Sequence, residues 1–264
     1  MFWMKSRELN KILLKFKLSR YKMFKIDTIL NLLNSFTYLL ANLLFWYLIT
    51  DTGFFIKEWT YSNILVFIAF SELFFGLDSS LFYMVSRFWR MIYSGALDSQ
   101  LTRPLDPRLR FILLNINYIG ALNSFITFII ILIVSQSNLN ISLIFVGAII
   151  VIISNIILAL IRFVLSYTAF WLGKMDAISE LADCLTGFNK YPMIIMPKTI
   201  KILFKTLLPF YFFSTFSAEI VIQKIDFTTF IYGAMGILCN LIFWSIINSI
   251  VWKKGTARYE SLNG

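Results

Sequence analysis

Two stretches of an otherwise apolar chain hold residues that could do chemistry. The first is "SELFFGLDSS", Ser71–Ser80, where Glu72, Gly76, Ser79 and Ser80 share one helical face and Asp78 lies off it. An ionised carboxylate at mid-bilayer costs about 2.5–3.5 kcal/mol on insertion scales, so it faces protein or water. Two readings of this face stand side by side: it lines a path for a transported molecule, or it packs against a neighbouring helix with Glu72 protonated or hydrogen-bonded. The second stretch is "GALDSQLTRPLDPRLR", Gly95–Arg110, with five charges, two prolines and leucines at every fourth position from Leu97 to Leu109. A plain connector would be rich in Gly, Ser or Asn. Here Ser94 is expected to cap a short helix, with Asp98 in its first turn complementing the helix dipole. Pro104 disfavours helix at Arg103, so the helix is expected to stop near Thr102, with Leu97 and Leu101 on one side. Arg103, Arg108 and Arg110 follow at headgroup level. The bland reading is an interfacial loop whose arginines only set topology.

Several chemistries drop out. The chain has no histidine, the usual proton shuttle and commonest metal ligand. Its two cysteines, Cys184 and Cys239, lie in different segments and suggest neither a disulfide framework nor a zinc site. No G-x-x-x-x-G-K-[ST] phosphate loop is present. No catalytic residue, metal site or cofactor is expected in this chain, and a membrane-bound enzyme is set aside.

The elements that position these residues are membrane helices. Of 264 residues 59% are hydrophobic and only 14% charged, with mean hydropathy +0.77, against about 25% charge in ordinary soluble domains. Spans need about 20 apolar residues. Six are read: Asp27–Thr50, Tyr61–Tyr83, Phe111–Val134, Ile141–Ile161, Thr206–Ile222 and Phe227–Trp252. Arg162 is expected to mark where the fourth leaves the hydrocarbon. The fifth is the weakest, with Pro209 near its start and Lys198, Lys201 and Lys205 before it. Pro192 and Pro197 make 189–200 an irregular approach or a re-entrant hairpin. Asn115, Asn117, Asn123 and Ser124 are expected to bond across helices, and Gly233 and Gly236 to allow close packing.

Basic residues collect on the cytoplasmic side of membranes. In the six-span reading 22 of the 24 Lys and Arg fall on one side, leaving only Lys57 and Lys224 opposite. Both termini and Gly95–Arg110 are therefore expected in the cytoplasm, with Trp89, Trp171 and Trp252 forming the inner aromatic belt. This rule accounts for the net charge of +10, so no nucleic-acid partner is expected. The expected organisation is an amphipathic cytoplasmic or interfacial helix over 1–26, a transmembrane domain over 27–252 with a loop at 87–110, and a cytoplasmic tail over 253–264. In the first segment Leu9, Ile12, Leu13, Phe16, Met23 and Phe24 face Arg7, Lys11, Lys15, Lys22 and Lys25, although Lys17 and Arg20 intrude. A solvated basic tail is the alternative.

The second stretch resembles a loop of type-2 ABC transporter permeases, of the form G-x-L-D-x-x-L-x-R-P-L-x-P, through Gly95, Leu97, Asp98, Leu101, Arg103, Pro104, Leu105 and Pro107. The C-terminal "VWKKGTARYESLNG" is similar to the aromatic–glycine–RYES-like end of the same branch, through Trp252, Gly255, Arg258, Tyr259, Glu260, Ser261 and Gly264. Ser217–Glu219 departs from the pattern, since relatives often carry proline there. The resemblance implies an all-α integral membrane protein of six spans with a short cytoplasmic coupling helix between spans two and three. It implies the permease subunit of an ATP-driven exporter, forming half of the pathway in the plasma membrane. The acidic path residues would suit a cationic or amphipathic cargo such as a drug or an antimicrobial peptide, and lipid-linked cargo is equally compatible. Its expected partners are two copies of a separate ABC ATPase, which holds ATP and magnesium, and a second permease, a homologous one sooner than an identical one. The eight loop residues would then be the coupling contact through 94–110. The competing reading is a proton-coupled secondary carrier or drug efflux protein using Glu72. That class usually carries inverted repeats, and none is visible.

Overall fold

The computed structural model describes residues 25–51, 59–135, 139–206 and 209–259, and all regular structure among them is helical. The expected amphipathic helix over 1–26 lies outside the described residues apart from its last two, as do Glu260, Ser261 and Gly264 of the tail. The first described element is α1, Lys25–Asp51. Its 27 residues span about 40 Å. Ile29, Leu33, Phe36, Leu40, Leu44 and Leu48 are exposed, as lipid-facing side chains are. The Thr37 and Thr50 hydroxyls bond Leu33 O (2.9 Å) and Trp46 O (3.0 Å), so neither needs water.

The remaining helices form a second unit. They are α2 (Tyr61–Leu77), α3 (Trp89–Tyr93), α4 (Asp98–Leu101), α5 (Pro107–Asn115), α6 (Tyr118–Val134), α7 (Ile141–Tyr167), α8 (Ala169–Leu172), α9 (Asp176–Thr186), α10 (Lys198–Thr206), α11 (Thr215–Val221) and α12 (Phe227–Arg258). Among the described residues four helical stretches are long and apolar enough to cross a membrane: Leu33–Asp51, Tyr61–Tyr93, Ile141–Leu172 and Phe227–Arg258. The pair α5–α6 makes a fifth if its 68° bend is one broken span.

The core is α2 packed along α6, α12 packed along α7, and α11 set against α2 and α7. Helix α2 does not end cleanly. It passes through a π-type turn at Asp78–Phe82 and a 3-10 stretch at Tyr83–Arg87 before α3 resumes. Such breaks free backbone carbonyls that need donors. Ser80 O accepts from Asn117 N (2.7 Å), Val85 O from Ser166 Oγ (3.0 Å) and Ser86 O from Ser179 Oγ (2.7 Å). Elements α6, α7 and α9 thus each hold one point of the break.

Four expectations need correction. Thr206–Ile222 does not form one spanning helix: Pro209 starts a 3-10 turn at Phe210–Phe212, and α11 has seven residues, about 10 Å long. The stretch is apolar because protein covers it, with Phe210, Phe213 and Phe216 at 3% exposure or less. Phe111–Val134 is broken at Ile116–Asn117, where Asn117 Oδ1 caps α6 by accepting from Gly120 N (2.9 Å). The Asn115 and Ser124 side chains bond carbonyls of their own helices, not of neighbours. Finally, Trp89 is buried at 3% by the bundle, so it does not face lipid as a belt residue would. Gly233 does meet the expectation of close packing: a Cβ there would lie 2.1 Å from the Phe216 ring.

Candidate functional site

The Gly95–Arg110 segment is a compact folded element. Helix α3 ends at Tyr93, and Ser94 terminates α3 without capping α4. Gly95 has φ +75°, a left-handed conformation that a side chain would strain. That reversal lets Leu97 N donate to Met91 O (3.1 Å) and turns Leu97 inward at 0% exposure. One helical turn follows, Asp98–Leu101, with Asp98 at its positive end, and it closes at Thr102 as Pro104 requires. Arg103 Nε donates to Ser99 O (3.1 Å), occupying a carbonyl at the helix C-terminus. Leu101 is 45% exposed, so it does not share Leu97's direction as the sequence suggested. A helix this short carries no continuous stripe. Asp106 then caps α5, accepting from Arg108 N (2.8 Å), with Pro107 in the first turn.

The tail supplies the seat. Leu97 belongs to a cluster with Val85, Phe88, Trp89, Ile92, Phe163, Tyr167, Ala169 and Met175, against which Trp252 and Tyr259 also pack. Trp252 lies 5.1 Å from Tyr167 and 5.9 Å from Phe170, ring to ring, and Tyr259 lies 5.7 Å from Phe170. A Cβ on Gly255 would sit 2.2 Å from Phe170 Cδ2, so only glycine lets α12 approach this closely. Burial, and then the Asp98 carboxylate beside it, push the Tyr259 hydroxyl up to about 12. Two sequence motifs about 150 residues apart therefore form one site.

Arg108 ties the same element sideways. It forms a two-pronged ion pair with Asp106 (2.6 Å), donates through Nη1 to Asn248 Oδ1 (3.2 Å) and stands over the Trp252 ring at 5.1 Å. The carboxyl of Asp106 is held below the ordinary carboxylate range: burial raises it, but the bonds from Arg108 outweigh that. Asn248 also donates to Leu160 O (3.3 Å), which links α12 to α7.

On α7, Arg162 is 2% exposed, enclosed by protein. It pairs with both carboxylate oxygens of Asp78, at 3.0 Å for Nη2–Oδ2, and with Asp183 of α9 at 3.1 Å. Asn189, just beyond α9, accepts from Ser71 through its carbonyl (3.3 Å) and from Ser214 through Oδ1 (2.6 Å). The chain after Met175 thus climbs from the Leu97 cluster past Arg162 to the level of Ser71.

The family model described as ABC-2 family transporter protein matches residues 36–263. The chain belongs to this family. Neither a curated protein nor a solved structure matches it. The ABC-2 match covers both the loop and the tail up to Asn263.

In this ABC-2 protein the Glu72 face divides. A Cβ on Gly76 would lie 2.1 Å from Ser124 Cβ, and Ser80 is buried at 3% beside Gly120, so these two serve the α2–α6 contact. Ser79 is exposed and bonds Gly76 O (3.1 Å). Glu72 is half-buried on the same helix. The sequence reading missed Asp78–Arg162–Asp183 and Arg108–Asn248. The available signal was the ionisable Asp78 and Arg162 inside apolar runs, each of which must find a partner. Among the described residues no group of three or more His, Cys, Asp or Glu could hold a metal ion.

Proposed function

We propose that this chain is the permease subunit of an ATP-driven ABC exporter in the plasma membrane, forming half of the translocation path and driven by a separate ATPase. The observation that carries the reading is the two-sidedness of the Gly95–Arg110 element. Gly95 and Leu97 are buried against the helix ends, while Leu101, Thr102, Arg103 and Pro104 are exposed at its tip. A rigid turn presenting a leucine, an arginine and a proline suits contact with another protein. Asp98 and Pro107 set the conformation behind that tip, and Leu105 is half-buried beside Pro104. Because the chain has no phosphate-binding loop, ATP would be bound by the partner, in two copies, together with a second, homologous permease.

The cytoplasmic placement of this end and of both termini follows from charge. Arg87, Arg90, Arg103 and Arg110 before and within the α3–α5 region, and Lys253, Lys254 and Arg258 of α12, are close in sequence to residues of one packed cluster. A cationic or amphipathic cargo fits Glu72 and Ser79 as path residues. A proton-coupled carrier built on the Glu72 face is not favoured, because Gly76 and Ser80 of that face serve helix packing. The test is affinity purification of the tagged chain from its native membrane in mild detergent. An ATPase carrying a phosphate loop should co-purify. A chain that transports when reconstituted alone would overturn the reading.

A further inference from the structure

We propose that the Gly95–Arg110 element drives the last helix, α12, through Arg108 and Asn248, as a second outlet beside the covalent one into α5 and α6. This rests on the reading of that element as the ATPase contact. It assigns a positioning role to two residues that neither the loop motif nor the tail motif contains.

The covalent route turns a corner. The chain leaving the tip enters α5, which is nine residues long and meets α6 at a 68° bend through Ile116–Asn117. A push along α5 meets α6 at that angle, so only part of it runs along α6. Helix α12 is continuous over 32 residues, from Phe227 to Arg258, with no such joint. A displacement delivered near Asn248 is carried along its whole length toward Gly236 and Gly233, where it meets Phe212 and Phe216 of the buried α11 region.

Arg108 is built to deliver it. Asp106 holds the guanidinium by three contacts of 2.6–3.2 Å, which fixes its plane and leaves Nη1 aimed at Asn248 Oδ1. The same plane lies over Trp252, one turn further along α12. Asn248 is 4% exposed and uses its amide on Leu160 O, so it cannot turn away from Arg108 without leaving a buried group unpaired. A planar, forked donor gives this geometry, and an ammonium does not. Tyr259, just past the end of the same helix, packs against the cluster that holds Leu97. The turn and the C-terminal third of α12 therefore move as one body.

The test uses the complex of this chain with its co-purifying ATPase in lipid nanodiscs. Native Cys239 on α12 and an introduced Ile133→Cys on α6 are both exposed and take an environment-sensitive fluorophore in separate preparations, with the other cysteines changed to serine. In the wild type, ATP with vanadate should shift both signals. Arg108→Ala and Asn248→Leu should each cut the Cys239 shift at least fivefold. They should leave the Ile133→Cys shift and the ATPase yield within twofold. Arg108→Lys, which keeps the charge and loses the fork, should fall between. An unchanged Cys239 shift in these variants, or none in the wild type, would overturn the assignment. So would equal loss of both shifts with the ATPase still bound, since Arg108 would then only prop up the loop. If no ATPase co-purifies with the wild type, the exporter reading falls and this inference falls with it.

Discussion

Removing the carboxylate of Asp78 should unfold this protein far more readily than removing that of Asp183, although both touch Arg162. The Arg162–Asp78 pair has side-chain exposures of 2% and 8%, and the Arg162–Asp183 pair 2% and 26%. Taking one partner from a buried pair costs about 3–5 kcal/mol, because the remaining charge keeps its desolvation penalty. Asp78→Asn should therefore cost about 3 kcal/mol, toward the low end, since Asp183 still neutralises Arg162. Asp183 reaches water and leaves Arg162 with a two-pronged partner, so Asp183→Asn should cost about 1 kcal/mol. The double change Asp78→Leu with Arg162→Leu removes both charges and should cost at least about 2 kcal/mol less than the sum of the single changes Asp78→Leu and Arg162→Leu. The assay is unfolding in mixed micelles of rising SDS fraction, followed by tryptophan fluorescence. Equal costs for Asp78→Asn and Asp183→Asn, or an additive double variant, would refute the reasoning.

Gly255→Ala forces a methyl to within 2.2 Å of the Phe170 ring. Overpacking costs about 1–3 kcal/mol and helix propensity returns about 1 kcal/mol, so the variant should be destabilised by about 1 kcal/mol, and Phe170→Leu should restore it. Because Arg108 depresses the Asp106 carboxyl below its unfolded value, the clamp stabilises the fold above the ordinary Asp range near pH ~3.9 and loses that contribution as pH falls through the depressed value. The stability gap between wild type and Asp106→Asn should thus be constant at neutral pH and close in strong acid; a gap that widens on acidification contradicts the assignment.

The long apolar helices were readable because lipid-facing spans need length and little else. Asp27–Thr50 corresponds to α1, and Phe227–Trp252 to all but the last turn and a half of α12. The stop at Thr102 was readable too, since Pro104 acts locally. Hydropathy failed at Thr206–Ile222 because it measures aversion to water, and phenylalanines packed by protein score as those packed by lipid do. Only Pro209 hinted at the break. The direction of Leu97 was hidden because it depends on one residue's left-handed φ, at Gly95, and not on periodicity. Arg162 and Arg108 were assigned to topology because their partners lie 84 and 140 residues away, beyond any spacing rule. The tail motif was visible as a pattern, but its meaning as the floor of the loop needed Phe170 and Gly255 in contact.

The central claim is that the exposed tip of the Gly95–Arg110 element is where an ATPase drives this ABC-2 protein. The most direct measurement is the amount of ATPase that co-purifies with tip variants matched to the wild type for yield and gel-filtration profile. Leu101→Ala and Arg103→Glu change side chains exposed at the tip and should each lower co-purified ATPase at least fivefold, with the fold intact. Undiminished ATPase with both variants would contradict the account and leave this element an ordinary interfacial turn.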